Sequence, residues 1–286
     1  DPAPICWSSY YMSHPRDDGS MDAHTFIHEF GHMLGLKDYY DPNSYIELSP
    51  VSPLGRMDMM DCSLGDHNAF SKCILGWEAP MVVNGEAEIA LRPSQGNGDC
   101  VLLPLSTSNG TLFDEYLLLE YYSPTYLNYA DASLRGEMGM TLMGKTGIKA
   151  YHVDARIGLY DNRSKAPKAY LTPNVNVGTH SLDFYCENSG TSSRGTAYSS
   201  RGFLIQSINV SSSSLALPEN FIASDHDEDI PYGNTVARLR NVLFQVGQGI
   251  NANTKDMTFH TGGALRYGFE VTAVTPGYAK IRTFSL

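Results

Sequence analysis

HTFIHEFGHMLGLKDYYDP, residues His24 to Pro42, is the stretch on which the reading of the whole chain turns. His28 and His32 stand four residues apart, so on a helix their imidazoles lie one above the other on a common face. Glu29 follows the first of them; Gly35 comes three residues after the second, and Asp38 three after that. Phe26, Ile27, Phe30, Met33 and Leu34 recur at helical spacing and predict an apolar face for burial. Asp22 is a candidate N-cap, and Gly35 suits the C′ position, where a left-handed residue turns the chain sharply. Gly31 inside the helix costs about 1 kcal/mol against Ala, which points to a space-limited contact there.

This pattern meets the needs of a catalytic zinc, which takes three protein ligands and keeps one position open for water. His28 and His32 supply two nitrogens from one helix face. A third ligand has to come from the other side of the ion, so the chain must reverse; Gly35 permits the reversal and Asp38 can reach back with a carboxylate oxygen. Glu29, beside a ligand without being one, is placed to take a proton from the attacking water and return it to the leaving amine. The letters HEFGH alone also fit an ordinary helix with two satisfied histidines and a solvated Glu. The apolar face, Gly35 and Asp38 favour the metal reading. A later Glu as third ligand is the alternative, with Glu47 the nearest candidate, in a proline-bounded loop.

Composition sets the frame for that site. The chain has 286 residues, 42% of them hydrophobic and 11% aromatic, enough for a substantial core in one large or two moderate domains. With 20 basic against 31 acidic residues its formal net charge is −11, which makes nucleic acid an unsuitable partner. No apolar run approaches the length of a membrane span. The start at Asp1-Pro2-Ala3-Pro4 carries no signal-peptide pattern, as expected of a mature or trimmed fragment. Five cysteines (Cys6, Cys62, Cys73, Cys100, Cys186) are too few and too scattered for a disulfide scaffold and contain no CxxC pair; Cys62 with Cys73 is the pairing weighed.

Along the chain, the turn-rich start holds one apolar run, Ile5 to Met12, that suits a strand. After the zinc stretch comes an irregular segment with Pro42, Pro50, Pro53 and Gly55. A second helix is predicted with Asp66 as N-cap, Ala69, Phe70, Cys73 and Ile74 at helical spacing, and Gly76 as its stop. Beyond Pro80 the texture changes to short apolar or alternating runs between Gly, Asn, Ser and Pro. Strands are predicted at 88–91, 100–105, 116–122, 147–153, 203–210, 242–246, 267–274 and 279–284. The expected class is therefore α+β, with a helical site-bearing part over 1–80 and a β-rich, sandwich-like region over 81–286.

HExxHxxGxxD resembles the zinc motif of the metzincin clan, with Asp38 in place of the usual third His. Within that clan the stretch from His24 to Pro42 is similar to the immune inhibitor A family of secreted bacterial metallopeptidases. GRMDMMD (55–61) resembles that family's Met-turn segment, with Met60 the methionine beneath the metal, and GDHNAFSKCILGW (65–77) resembles the helix that follows. GIKAYHVDARI (147–157) and YGFEVTAVTPGYAKI (267–281) resemble strands of its β-rich C-terminal region. The resemblance implies a metzincin-like catalytic part, Zn2+ held by His28, His32 and Asp38, and Glu29 as general base and acid. It further implies Gly35 and Met60 as structural support, protein or peptide substrates, and an extracellular or cell-surface location. A structural Ca2+ is implied too, with Asp41, Asn43, Asp58 and Asp61 as oxygen donors, although N-caps or Asx-turns explain the same residues.

Two features depart from the family. Its members carry a long segment, including a substrate-binding edge strand, before the zinc helix, whereas 27 residues precede His28 here. That segment lies outside this numbering, has been removed, or is absent from a reduced fold. A carboxylate ligand also leaves the zinc centre with a charge of about +1, which makes its water less acidic, while His2Glu sites show that a carboxylate is compatible with peptide hydrolysis. A non-catalytic binding or surface protein retaining the fold is the alternative to a peptidase.

Remaining candidates carry less. His67 suits a cleft-facing or a capping role, Tyr39 and Tyr40 a cleft wall or packing, and His152 with Asp154 a buried hydrogen-bonded pair. The acidic run Asp225–Asp229 suits a solvated loop, and GQGIN (247–251) lacks the Lys and helix of a phosphate loop.

Overall fold

In a computed structural model the chain is described at residues 23–40, 53–54, 57–61, 65–129, 144–161, 167–170, 180–188, 202–208, 210, 220–221, 238–239, 242–251, 257 and 259–286. Asp22, Asp41, Asn43, Glu47, Cys6, Cys62, the 5–12 run and the acidic run at 225–229 lie outside those residues. The helices are α1 (His24–Met33), α2 (Ala69–Ile74) and the single turn α3 (Ser94–Asn97). The strands are β1 (Met81–Val82), β2 (Ala87–Leu91), β3 (Cys100–Pro104), β4 (Glu115–Tyr122), β5 (Gly147–Asp154), β6 (Ile157–Asp161), β7 (Pro167–Tyr170) and β8 (His180–Phe184). They continue with β9 (Ile205–Ser207), β10 (Asn220–Phe221), β11 (Arg238–Leu239), β12 (Leu243–Phe244), β13 (Gly249–Ile250), β14 (Tyr267–Thr275) and β15 (Tyr278–Ser285). The class is α+β, with few helices and mixed sheets. No helix among the described residues is long and apolar enough to cross a membrane.

A six-stranded sheet runs in the order β1-β3-β4-β5-β12, with β9 also paired to β5, and it is antiparallel apart from the β1–β3 pair. Its central strands are buried at every residue, because alternate side chains enter two different cores. Val101, Leu103, Leu117, Leu119, Ile148 and Ala150 pack with Phe269, Val271, Ala279 and Ile281 of the four-stranded sheet β13-β14-β15-β2. On the opposite face Cys100, Leu102, Tyr116, Leu118, Tyr151 and Val153 pack with Phe70 and Cys73 of α2 and with Leu36, Tyr39 and Met60. Residues on either side of position 80 thus share one core. Two-sided burial explains the unbroken apolar reading of Val101-Leu102-Leu103 and Tyr116 to Leu119. The third sheet, β7-β6-β8, falls where no strand is predicted; Gly158 and Pro167 dilute its apolar pattern.

Both longer helices end in the same way. In α1 the amide of Leu36 bonds to the Gly31 carbonyl and that of Gly35 to His32, each at 3.0 Å, and Gly35 has φ +99°. That is a Schellman ending, which a left-handed glycine completes. In α2 the amides of Trp77 and Gly76 repeat it on Lys72 and Cys73, with Gly76 at φ +73°.

Two expectations are corrected here. The N-cap of α2 is Asn68, whose Oδ1 accepts from the Ser71 amide at 2.9 Å, whereas Asp66 pairs with the Lys72 ammonium at 2.5 Å. A buried Lys needs a carboxylate more than a helix end already capped by Asn68 does. The burial of α1 is also reversed. Thr25, His28 and Gly31 are its buried residues, while Phe26, Ile27, Phe30 and Leu34 are 41–51% exposed. Periodicity identifies an apolar stripe but not the side on which the helix meets its neighbours, and here small size and hydrogen bonding decide that side.

Candidate metal centre

His28 and His32 leave α1 on one face, and the turn at Gly35 brings Asp38 back against both. Asp38 Oδ1 lies 3.1 Å from His28 Nε2 and 3.1 Å from His32 Nε2. Donor atoms bound at about 2.0–2.1 Å to a tetrahedral ion stand about 3.3 Å apart, so these spacings are close to those of a coordination shell. The three side chains form a group able to hold a metal ion.

The hydrogen bonds behind the rings sharpen this. His28 Nδ1 is 2.9 Å from the Met59 carbonyl, and His32 Nδ1 is 2.9 Å from the Leu36 carbonyl. A carbonyl oxygen only accepts, so each Nδ1 carries its proton, and a neutral ring then presents a bare Nε2 lone pair to the Asp38 oxygen. Three lone pairs converge on one point, which requires positive charge there: either two further protons or a cation. Locking Nδ1–H onto an acceptor is how metal-binding histidines are usually oriented.

Proton affinities respond to the same geometry. Burial works against a charged His28, but its bonds to Asp38 and to the Met59 carbonyl outweigh that and raise its pKa. The Asp38 hydrogen bond raises that of His32 despite burial. Burial would favour neutral Asp38, yet the two imidazoles hold its carboxyl well below the usual carboxylate range.

Beneath the helix lies Met60, fully buried. A Cβ added at Gly31 would stand 2.5 Å from Met60 Sδ and 3.2 Å from its Cε, so the glycine is what lets this sulfur sit against the helix. The Tyr39 amide bonds to the Met60 carbonyl at 2.8 Å, which ties the loop carrying Asp38 to the same floor. Gly31→Ala is expected to lower stability by about 1 kcal/mol, an overpacking cost of about 1–3 kcal/mol partly offset by helix propensity. In a Met60→Ala background the same change should be neutral or stabilising. Additive effects of the two substitutions in chemical denaturation would disprove the contact.

The floor is keyed to α2. Asp58 accepts from the Met60 amide at 2.8 Å, the Asn68 amide at 2.9 Å and Asn68 Nδ2 at 2.8 Å, and Tyr39 Oη is 2.9 Å from Ser71 Oγ. Asp58 therefore follows the Asx-turn alternative to calcium, and among the described residues neither it nor Asp61 joins a metal-holding group. Tyr39 is a core residue rather than a cleft wall. His67 packs edge-on to Trp77, with ring centroids 6.0 Å apart. Lys37, next to Asp38, pairs with Asp183 of β8 at 2.5 Å. Burial pushes Glu78, which shares Lys72 with Asp66, up to about 7.

Among the described residues two other groups have metal-like composition: Glu115 with His152 and His260, and Asp154 with Cys186 and His260. Both are closed by their own hydrogen bonds. Glu115 accepts from His152 Nε2 at 2.8 Å and from the amides of His260 and Thr261 at 2.7 Å each. Asp154 accepts from Arg156 at 2.7 and 2.6 Å, from His260 Nδ1 at 2.7 Å and from the Cys186 thiol at 3.2 Å. The guanidinium already supplies the positive charge, and burial pushes the Cys186 thiol up, away from the thiolate a metal takes. His152 and Asp154 are buried and hydrogen-bonded, as expected, but to partners other than each other. Arg156 is two residues from Asp154, but Glu115 and His260 lie 37 and 106 residues from the groups they meet, beyond the reach of any local pattern.

No protein-family model, no curated protein and no solved structure matches the chain.

Proposed function

We propose that the chain is a secreted zinc-dependent endopeptidase of the immune inhibitor A type, with a metzincin-like catalytic part. The observation that carries this reading is the convergence of two histidine Nε2 atoms on one Asp38 oxygen, each 3.1 Å from it, with Glu29 half-buried on the same helix. His28, His32 and Asp38 would hold the ion. Zinc bound there supplies a Lewis acid that acidifies water and polarises the scissile carbonyl. Glu29 accepts the proton of the attacking water and delivers it to the departing amine. The Met59 and Leu36 carbonyls keep both rings in the ligating tautomer. Gly35 and Met60 fix the loop and the floor.

The test is hydrolysis of casein or gelatin by zinc-loaded protein, prepared together with whatever chain precedes Asp1 in its encoded precursor. Activity is expected, abolished by a chelator and restored by zinc. One bound zinc per chain with no hydrolysis of either substrate overturns the peptidase and leaves a metal-binding protein without turnover.

A further inference from the structure

Cys73 and Cys100 are buried, one near the end of α2 and the other opening β3, with their sulfurs 3.6 Å apart. We propose that these two residues are joined by a disulfide that fastens α2, and with it the floor of the metal centre, to the six-stranded sheet. The sulfurs are in van der Waals contact, and closing them to the bonded separation of about 2.05 Å takes a movement of about 1.5 Å, which two χ1 rotations can share. The bond would close a span of 27 residues, and a cross-link over that span removes conformations chiefly from the unfolded chain.

Its position gives the bond a role beyond stability. Asn68 at the start of α2 holds Asp58, which holds the Met60 amide, and Ser71 in the same helix bonds to Tyr39, the residue after the ligand Asp38. A six-residue helix is too short to persist by its own hydrogen bonds, so what holds α2 to the sheet also holds the floor. Glu120 of β4 fastens the other end of α2, accepting from the Ala69 amide at 2.8 Å. The disulfide and this carboxylate then secure α2 near both of its ends.

The chemistry balances with a small-molecule disulfide, such as oxidised glutathione, as electron acceptor. One cysteine thiolate attacks a sulfur of the acceptor and expels one small thiol. The second cysteine attacks the resulting mixed disulfide and expels the other. The protein dithiol is oxidised, the acceptor is reduced to two thiols, and both cysteine protons end on those thiols.

The experiment folds the full chain in a glutathione redox buffer, blocks free thiols with a maleimide under denaturing conditions, and maps the peptides by mass. A linked peptide pair containing unlabelled Cys73 and Cys100 is expected, which a phosphine separates with the gain of two hydrogens. Reduction should lower the melting temperature of the parent chain by about 5–15 °C and leave a Cys73→Ser/Cys100→Ser double variant unmoved. Maleimide on both residues, or Cys73 linked to Cys62, would overturn the proposal. So would equal losses of melting temperature in parent and double variant. None of these readouts depends on peptidase activity.

Discussion

Replacing Glu29 by Gln is expected to lower kcat for peptide hydrolysis by about a hundred- to ten-thousandfold while leaving the bound zinc in place. That range is the usual worth of one general acid–base group. Glu29 is half-buried and follows His28 in the chain, yet it does not belong to the converging group of His28, His32 and Asp38. Its charge is felt at His32, where it adds to the influence of Asp38. The amide keeps the size of the side chain and removes only its capacity to take a proton, so KM and melting temperature should stay near those of the parent. Glu29→Asp, which withdraws the carboxylate by one methylene, should be intermediate. Loss of zinc along with activity in Glu29→Gln would make Glu29 a ligand rather than a base, and undiminished activity would place the base elsewhere.

The centre depends on a chain of contacts that leads away from it. The imidazoles are oriented by the carbonyls of Met59 and Leu36, Met60 sits under Gly31, Asp58 sets the turn that carries Met60, and Asn68 sets Asp58. Each link is a backbone carbonyl, a close approach or a cap, and each is short. A two-layer protein would leave the far face of the sheet under that floor exposed to solvent. Here the six-stranded sheet is buried on both faces, and the floor rests on a sheet braced from behind by β14 and β15.

Local chemistry was legible in the sequence because it is governed by short spacings. The meeting of His28, His32 and Asp38 and the left-handed Gly35 follow from residues within eleven positions of one another. That Gly31 makes a tight contact was legible too, but its partner Met60 lies far along the chain and came only from the family resemblance. The strands with continuous or alternating apolar runs were legible for the same reason. Which side of α1 is buried was not, since a stripe of Phe26, Phe30 and Leu34 is outweighed by the requirement that His28 and Gly31 face the floor. Asp66 and Asn68 are equally good caps by type, and the choice between them rests on the burial of Lys72, which Asp66, Glu78 and the Ser94 carbonyl share. Of the network of Glu115, His152, Asp154 and His260, only His152 and Asp154 on one strand stood out in the sequence; the partners they meet come from β4 and the segment before β14.

Asp38→Ala is expected to weaken zinc binding by at least about 100-fold, since residues that only orient a metal's ligands are worth about 10–100-fold and Asp38 would contact the ion itself. The same substitution should change how stability depends on pH, in a direction the geometry fixes. In chelator-stripped protein His28 and His32 have raised pKa values, so the stability they contribute is full below about 6.5, the unfolded value, and is lost as pH rises through their folded values. Asp38 is depressed, so its contribution is full above about 3.9 and is lost as pH falls through its folded value. The stripped protein should therefore draw most from this trio between about pH 4 and 6.5 and lose that contribution toward alkaline pH. Zinc reverses the trend, because the ion takes the place of those protons, and its stabilising shift should grow as pH rises through the raised histidine values. Melting temperatures of stripped and zinc-loaded protein should diverge between about pH 6 and 8. In Asp38→Ala the stripped curve should flatten and the zinc shift should largely disappear, since the carboxylate that raises both histidines is gone. A zinc shift independent of pH, or undiminished in Asp38→Ala, would mean that the ion sits somewhere other than between these three side chains.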